Sequence, residues 1–431
     1  MMLIKLSFVV LCAIDIPIIN ALCDDTVKQT LGYLDGGSDA QLFYWFFESR
    51  GPGGGPGGSS MYALVSGNGG PCILNRDGNS TSLNEYSYNT FANVLYLDQP
   101  ASTGFSKGKI PKNSVEAATA SLRALEFFFA KHPRYNTEVF FIGQSYAGEG
   151  SGLDHQCATH ALLALAINDI CKSLIKLRGV ILGNSGVNDM LQYISMPTMG
   201  YSSGTTRSVL TETEYQLMLK ALRRLLSDMQ SCLDNKDRKK LCKKASDDSL
   251  SDMLQPIRRK NIDLFDLRLQ CTEPAPGCQY RKNFAVYFNS REVQQYLKVK
   301  TKWILSNTKV FDAFISDFPV DYSPHLAMLL NEGLRVMIYA GDQDYMCNWI
   351  GSRDMASDIP WSGRDGFSKA PDTLYSLPSG KQIGKLRIFT SAATGGQLSF
   401  AQIFEAGHSA AKDSPEGVLQ LVSDFALGRL V

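Results

Sequence analysis

Short runs of consecutive apolar residues, separated by long stretches with helical patterning, constrain this chain more than any other feature. Val94–Leu97, Val139–Ile142, Val180–Leu182 and Val336–Tyr339 are such runs, and each ends at polar or glycine-containing turn residues. A strand buried on both faces needs no polar face, so it reads as a continuous apolar run rather than an alternation. Strands of this kind alternating with helices imply an α/β fold whose mainly parallel central sheet is covered by helices on both faces.

The other elements fall into place around that sheet. Leu31–Asp35 and Leu42–Phe47 read as an opening strand pair around a Gly/Ser/Asp turn, and Gly51–Ser60 is a glycine- and proline-dominated loop. Asn113 with Glu116 marks a helix start, Leu122, Leu125 and Phe129 share one face of that helix, and His132-Pro133 closes it. Leu210 to Ser306 is charged, helical in pattern and cysteine-bearing, which reads as an inserted cap at about 205–305. Later strands are expected around Ile388 and Ile403-Phe404, with a last helix opened by Ser414 as N-cap and Pro415 in its first turn.

With 431 residues the chain can bury a sizeable core, and residues 22–431 are expected to form one domain with that insertion. The balance of 43 basic against 42 acidic residues creates no field for phosphate backbones or anionic lipid, which argues against a nucleic-acid partner. Met1–Ala21, with Lys5, an apolar core from Leu6 to Ile14 and a small residue at Ala21, fits a signal peptide. No other stretch approaches the ~18 apolar residues of a membrane span. The expected destination is therefore the secretory pathway, ending outside the cell or in a vacuole or lysosome. Ten cysteines without CxxC pairing argue for disulfides over a metal cluster, and Asn79-Ser80-Thr81 is a glycosylation sequon.

Chemistry concentrates where Val139–Ile142 runs into Gly143-Gln144-Ser145-Tyr146-Ala147-Gly148. A serine on a tight strand-to-helix turn presents its hydroxyl where a distant base can take its proton. Ala147 stands where G-x-S-x-G requires its second glycine, so the pattern is met only loosely. Five histidines, His132, His155, His160, His325 and His408, are the candidate bases. His408, in a loop before the last helix, completes the order Ser, Asp, His used by α/β-hydrolases. The acid that would orient it lies in Gly341-Asp342-Gln343-Asp344, where spacing does not choose between the two aspartates.

Four blocks resemble the serine carboxypeptidase family, α/β-hydrolases that include carboxypeptidase Y and cathepsin A. Gly143–Gly148 is similar to G-E-S-Y-A-G, and Tyr339–Trp349 to Y-A-G-D-x-D-x-x-C-N-W. Ala406-Gly407-His408 with Asp413, Pro415 and Glu416 is similar to G-G-H-x-x-x-x-D-x-P-E, and Leu97–Ser106 to L-D-Q-P-x-x-x-G-F-S. The resemblance implies a catalytic triad of Ser145, Asp344 and His408, which selects Asp344 over Asp342. It further implies an oxyanion hole from the N–H groups of Gly55 and Tyr146, and a substrate site that includes Gln144, Gly54 and Cys347. No cofactor and no metal are implied. The partners would be the C-termini of peptides or proteins, and the oligomeric state is left open, a homodimer included.

Departures from that pattern cluster on the substrate side. Gly53, Gly67 and Gln144 stand where the family has an asparagine and two glutamates that bind the peptide's free carboxylate, and a core strand with its tryptophan is expected to be missing before Gly51. Gln144 keeps an amide donor that needs no acidic pH, so a weaker exopeptidase preference with less acid restriction is expected. Gly58 replaces a family cysteine, whose usual partner here would be Cys278, left as a thiol; Cys232, Cys242 and Cys271 are expected to pair among themselves. Beside a serine carboxypeptidase stand two alternatives: a catalytically impaired or non-catalytic relative, and an esterase or acyltransferase using the same triad.

Overall fold

The computed structural model describes residues 22–51, 57–144, 174–236, 238–271, 281–305 and 307–430. The signal segment expected at Met1–Ala21 lies outside the described residues. Among the described residues ten strands build the main sheet: β1 (Gln29–Gly37), β2 (Ala40–Phe47), β3 (Gly57–Ser59), β4 (Val94–Leu97), β5 (Val139–Gln144), β6 (Leu177–Gly183), β7 (Arg335–Gly341), β8 (Thr373–Ser376), β9 (Gln382–Thr390) and β10 (Gln397–Ile403). Their hydrogen bonds give two pieces, β1-β2-β4-β3 and β5-β6-β7-β10-β9-β8, which meet where β3 lies against β5. The neighbours β3/β4, β5/β6, β6/β7 and β7/β10 are parallel, while β1/β2, β2/β4, β10/β9 and β9/β8 are antiparallel. The sheet is thus mixed, with its parallel strands in the centre, where the uninterrupted apolar runs predicted them.

Successive residues of a strand point to opposite faces, and two hydrophobic cores result. Leu42, Tyr44 and Phe46 of β2 join one core with Ala118, Leu122, Leu125 and Phe128 of the helix Ser114–Lys131. Phe43, Trp45 and Phe47 join the other with Val418, Leu421 and Phe425 of the helix Pro415–Ala426. Asn113 caps the first of these helices by accepting from the Glu116 N–H at 2.9 Å, the predicted start. At the second, Ser414 precedes Pro415 but makes no side-chain capping bond, so proline and packing set that start instead.

β3 lies within Gly51–Ser60, read from the sequence as a loop, and pairs beside β4 in the sheet. It is only three residues long, pairing Gly57–Ser59 in parallel with Val94–Tyr96. Its backbone serves the ladder without the apolar side chains that would announce it.

Between β6 and β7 the chain inserts a helical layer with a third core built on Met218, Leu222, Leu225 and Met229 of the helix Glu212–Asp234. A small hairpin, Ile262–Asp263 paired with Asp266–Gln270, closes this layer over the sheet edge. Cys232 is bridged to Cys242 and Cys23 to Cys72. Cys271 is also disulfide-bonded, so the expected pairing of the three inserted cysteines among themselves holds for two of them. Cys278, the predicted leftover thiol, lies outside the described residues. Among those residues no helix is long and apolar enough to cross a membrane.

Candidate active site

The carboxyl ends of neighbouring parallel strands are where such sheets place ligands. β5 ends at Gln144, the residue before Ser145; β6 ends at Gly183, before Asn184; β7 ends at Gly341, before Asp342–Asp344; β10 ends at Ile403, five residues before His408. Four well-separated stretches of sequence therefore reach the same edge.

His408 and Asp344 meet there. His408 Nδ1 lies 2.7 Å from Asp344 Oδ2, with both side chains buried. That contact places the ring proton on Nδ1 and the basic lone pair of the neutral imidazole on Nε2. Three more donors fix the carboxylate. Asn184 Nδ2 reaches Oδ2 at 2.9 Å, the Cys347 N–H reaches Oδ2 at 3.2 Å, and the Met346 N–H reaches Oδ1 at 3.0 Å.

Asn184 holds a left-handed backbone conformation (φ 43°), which asparagine tolerates better than most residues. Its own N–H donates to Tyr339 at 2.7 Å, which binds the end of β6 to β7. The family resemblance did not supply Asn184. A polar residue directly after a core strand, at the edge where ligands bind, was the available signal.

Asp342 turns elsewhere, accepting from Gln343 Nε2 at 2.9 Å, and burial pushes its carboxyl above the usual range. Of the other candidate bases, His132 ends the helix Ser114–Lys131 against Phe128 and Tyr135, and His325 lies in the helix Ser323–Asn331. His155, His160, Ser145, Tyr146, Gly54 and Gly55 lie outside the described residues.

Donor atoms of Asp344, Cys347 and His408 lie within 4.8 Å of one another, a spacing that a metal ion could also use. The 2.7 Å hydrogen bond already occupies the facing atoms of Asp344 and His408, so the trio is an acid–imidazole pair beside a buried thiol.

The wall next to His408 differs in character. Gln144 Nε2 donates one N–H to the His408 carbonyl at 2.8 Å, so the amide expected to face substrate is partly spent on the histidine loop. Gly67 has φ +85°, and a Cβ there would lie 3.3 Å from Lys412 Cγ. The lysine stem thus covers the position where the family pattern has a glutamate. Asn68 Nδ2 donates to Ser66 Oγ at 3.0 Å and Ser409 Oγ at 3.3 Å, while its buried Oδ1 accepts no hydrogen bond from the described residues.

Behind this wall Asp98 accepts from the Met61 N–H at 3.0 Å and the Phe105 N–H at 2.9 Å. Its full burial outweighs those donors and pushes its pKa up to about 7. Asn79 is exposed on the turn between the strands Cys72–Leu74 and Thr81–Leu83.

The family model described as serine carboxypeptidase matches residues 21–428. Carboxypeptidase Y of Komagataella phaffii is 31% identical over 420 residues, covering 94% of this chain and 77% of the relative. Carboxypeptidase Y homolog A of Pyricularia oryzae is 32% identical over 424 residues, covering 94% and 73%. Among solved structures, Kex1(Δ)p, a prohormone-processing carboxypeptidase from Saccharomyces cerevisiae, superposes with a TM-score of 0.76 at 19% identity, covering 94% of this chain and 93% of that one. At that identity the likeness shows a shared fold, here the α/β-hydrolase fold.

Proposed function

The chain belongs to the serine carboxypeptidase family, and from that premise we propose that it releases C-terminal residues from peptides or proteins through an acyl-enzyme on Ser145. The carrying observation is the buried His408–Asp344 pair at the strand edge where Ser145 follows β5.

In this reading His408 Nε2 takes the Ser145 hydroxyl proton as Oγ bonds to the scissile carbonyl carbon. The N–H groups of Gly55 and Tyr146 stabilise the resulting oxyanion. His408 then returns the proton to the departing amine as the C–N bond breaks, and water repeats the cycle to free the acyl group and restore Ser145. Asp344 holds the imidazole in the Nδ1–H tautomer and stabilises its protonated form. No metal or redox group takes part in this scheme.

Recognition of the free carboxylate is the weakened part. Gln144 offers one remaining N–H, Gly67 offers no side chain, and the family resemblance adds Gly54 and Cys347 to the substrate site. Residues 22–431 act as one catalytic unit, with the insertion at about 205–305 forming its cover. The disulfides Cys23–Cys72 and Cys232–Cys242 support a secretory-pathway location, and exposure of Asn79 supports its glycosylation there.

The test is a burst experiment with an activated ester, following product release in the first turnover. An initial burst matching the enzyme concentration and absent from Ser145→Ala is expected. A folded wild-type protein with neither a burst nor Ser145-dependent steady turnover would instead establish the non-catalytic alternative.

A further inference from the structure

The turn of the small hairpin, Asp263–Arg268, lies across both loops that carry the acid–base pair. The Phe265 carbonyl accepts the His408 N–H at 2.7 Å, the Leu264 carbonyl accepts the Tyr345 N–H at 3.1 Å, and the Leu267 N–H donates to the Gln343 carbonyl at 3.0 Å. Phe265 also packs on the His408 ring, with centroids 4.8 Å apart. The approach is tight, since a Cβ on Gly407 would lie 2.5 Å from the Phe265 carbonyl oxygen and 2.9 Å from Asp266 Cβ.

Arg268 fastens this turn at its end. Its Nε and Nη2 form a two-pronged bond to Asp266 at 2.9 and 2.6 Å, while Nη1 donates to the Glu405 carbonyl at 2.6 Å, three residues before His408. The next loop residues are held from the other side, where Asp413 accepts the Gly407 N–H at 2.8 Å.

We propose that Arg268 is a positioning residue for the base, locking the Asp263–Arg268 turn onto the Glu405–His408 loop so that His408 stays aligned with Asp344. The inserted layer then does more than cover the substrate: one of its turns is part of the alignment of the catalytic pair. This inference rests on the reading of His408 as the catalytic base.

Charge makes the lock pH-sensitive. The ionisable groups around Arg268 are Asp266 on the hairpin, Asp342 after β7, Glu405 after β10, and Lys412 and Asp413 beyond His408. Burial raises Asp342 and Asp413 above the usual carboxyl range, so both lose their protons later than ordinary aspartates as pH rises. Without the guanidinium, Asp342 and Asp413 would lose the positive charge that faces them as they ionise, and the defect would grow with pH.

The experiment compares Arg268→Ala and Arg268→Lys with wild type from pH 5 to 8, reading kcat and KM on a blocked dipeptide and the His408 Nδ1–H proton by NMR. A displacement near 1 Å can cost about 100-fold in rate, so Arg268→Ala is expected to lose roughly 10- to 100-fold in kcat. KM should stay within about twofold, the loss should grow with pH, and the proton signal should shift or broaden. Arg268→Lys should restore part of the rate, because it keeps the charge but not the two-pronged bond. Unchanged kcat and signal, or a rise confined to KM, would overturn the proposal. If Arg268→Ala does not fold, Arg268→Lys and Asp266→Asn carry the same comparison. If wild type turns nothing over, the functional reading fails, and the NMR comparison decides the positioning role by itself.

Discussion

The two sides of the cleft are built differently. On one side Asp344 receives His408 and three further donors, and the strand ends, Asn184 and the Asp263–Arg268 turn all hold that pair in place. On the other side the positions that bind a peptide carboxylate in the family are two glycines and a glutamine, and the glutamine already leans on the His408 carbonyl. On the proposed reading, bond-breaking and terminus recognition are therefore separable: the acid–base pair is supported by the residues around it, while the carboxylate-binding positions are rewritten relative to the family pattern.

The largest effects should come from the supported side. Asp344→Asn is expected to lower kcat by about 10⁴-fold, since an amide facing Nδ1 favours the wrong tautomer of His408. Free-acid and amidated substrates should suffer equally, and steady-state kinetics on both would check it; a loss confined to free acids would break the comparison.

A smaller loss is expected from Asn184→Ala, which removes one donor from the buried carboxylate. A hydrogen bond to a charged group is worth about 1.5–3 kcal/mol, or roughly 10- to 100-fold in kcat if the whole effect falls on the transition state. Unchanged kcat would mean that the backbone N–H groups of Met346 and Cys347 orient Asp344 unaided.

On the rewritten side the effects should be selective and small. Gly67→Glu restores an acidic side chain but must displace the Lys412 stem and adopt a left-handed backbone, at a stability cost of about 1 kcal/mol or more. Its signature is a several-fold lower KM for free-acid substrates at acidic pH, with amidated substrates unaffected.

The last effect falls on stability rather than on catalysis. A carboxyl raised in the fold to about 7 favours folding when protonated, so the Asp98 contribution is greatest below pH 4 and is lost as pH rises towards 7. Denaturant midpoints of wild type should decline across that interval more steeply than those of Asp98→Asn. Parallel slopes would show that Asp98 is not the group responsible.

Legibility in the sequence followed the same division. The central strands and the helix after Asn113 were readable because burial on both faces and capping leave local signals, as in Val94–Leu97 and Asn113-Glu116. β3 was not, because Gly57–Ser59 is held by its neighbours' ladder rather than by its own residues. Asp344 could be preferred to Asp342 only through the family pattern, since both lie in one loop and only the three-dimensional turn aims one of them at His408. Arg268 left no motif at all and Asn184 only the weak signal of a polar residue after a core strand, because their roles depend on contacts between segments far apart in the chain.

The most direct test of the division is the ratio of kcat/KM for a blocked dipeptide with a free C-terminus to that for its amide, measured from pH 4 to 8 with Ser145→Ala as control. The account predicts serine-dependent turnover with a modest preference for the free acid that persists towards neutral pH. A strong free-acid preference confined to acidic pH would contradict it, showing that carboxylate recognition survives in full by protonated carboxyl groups.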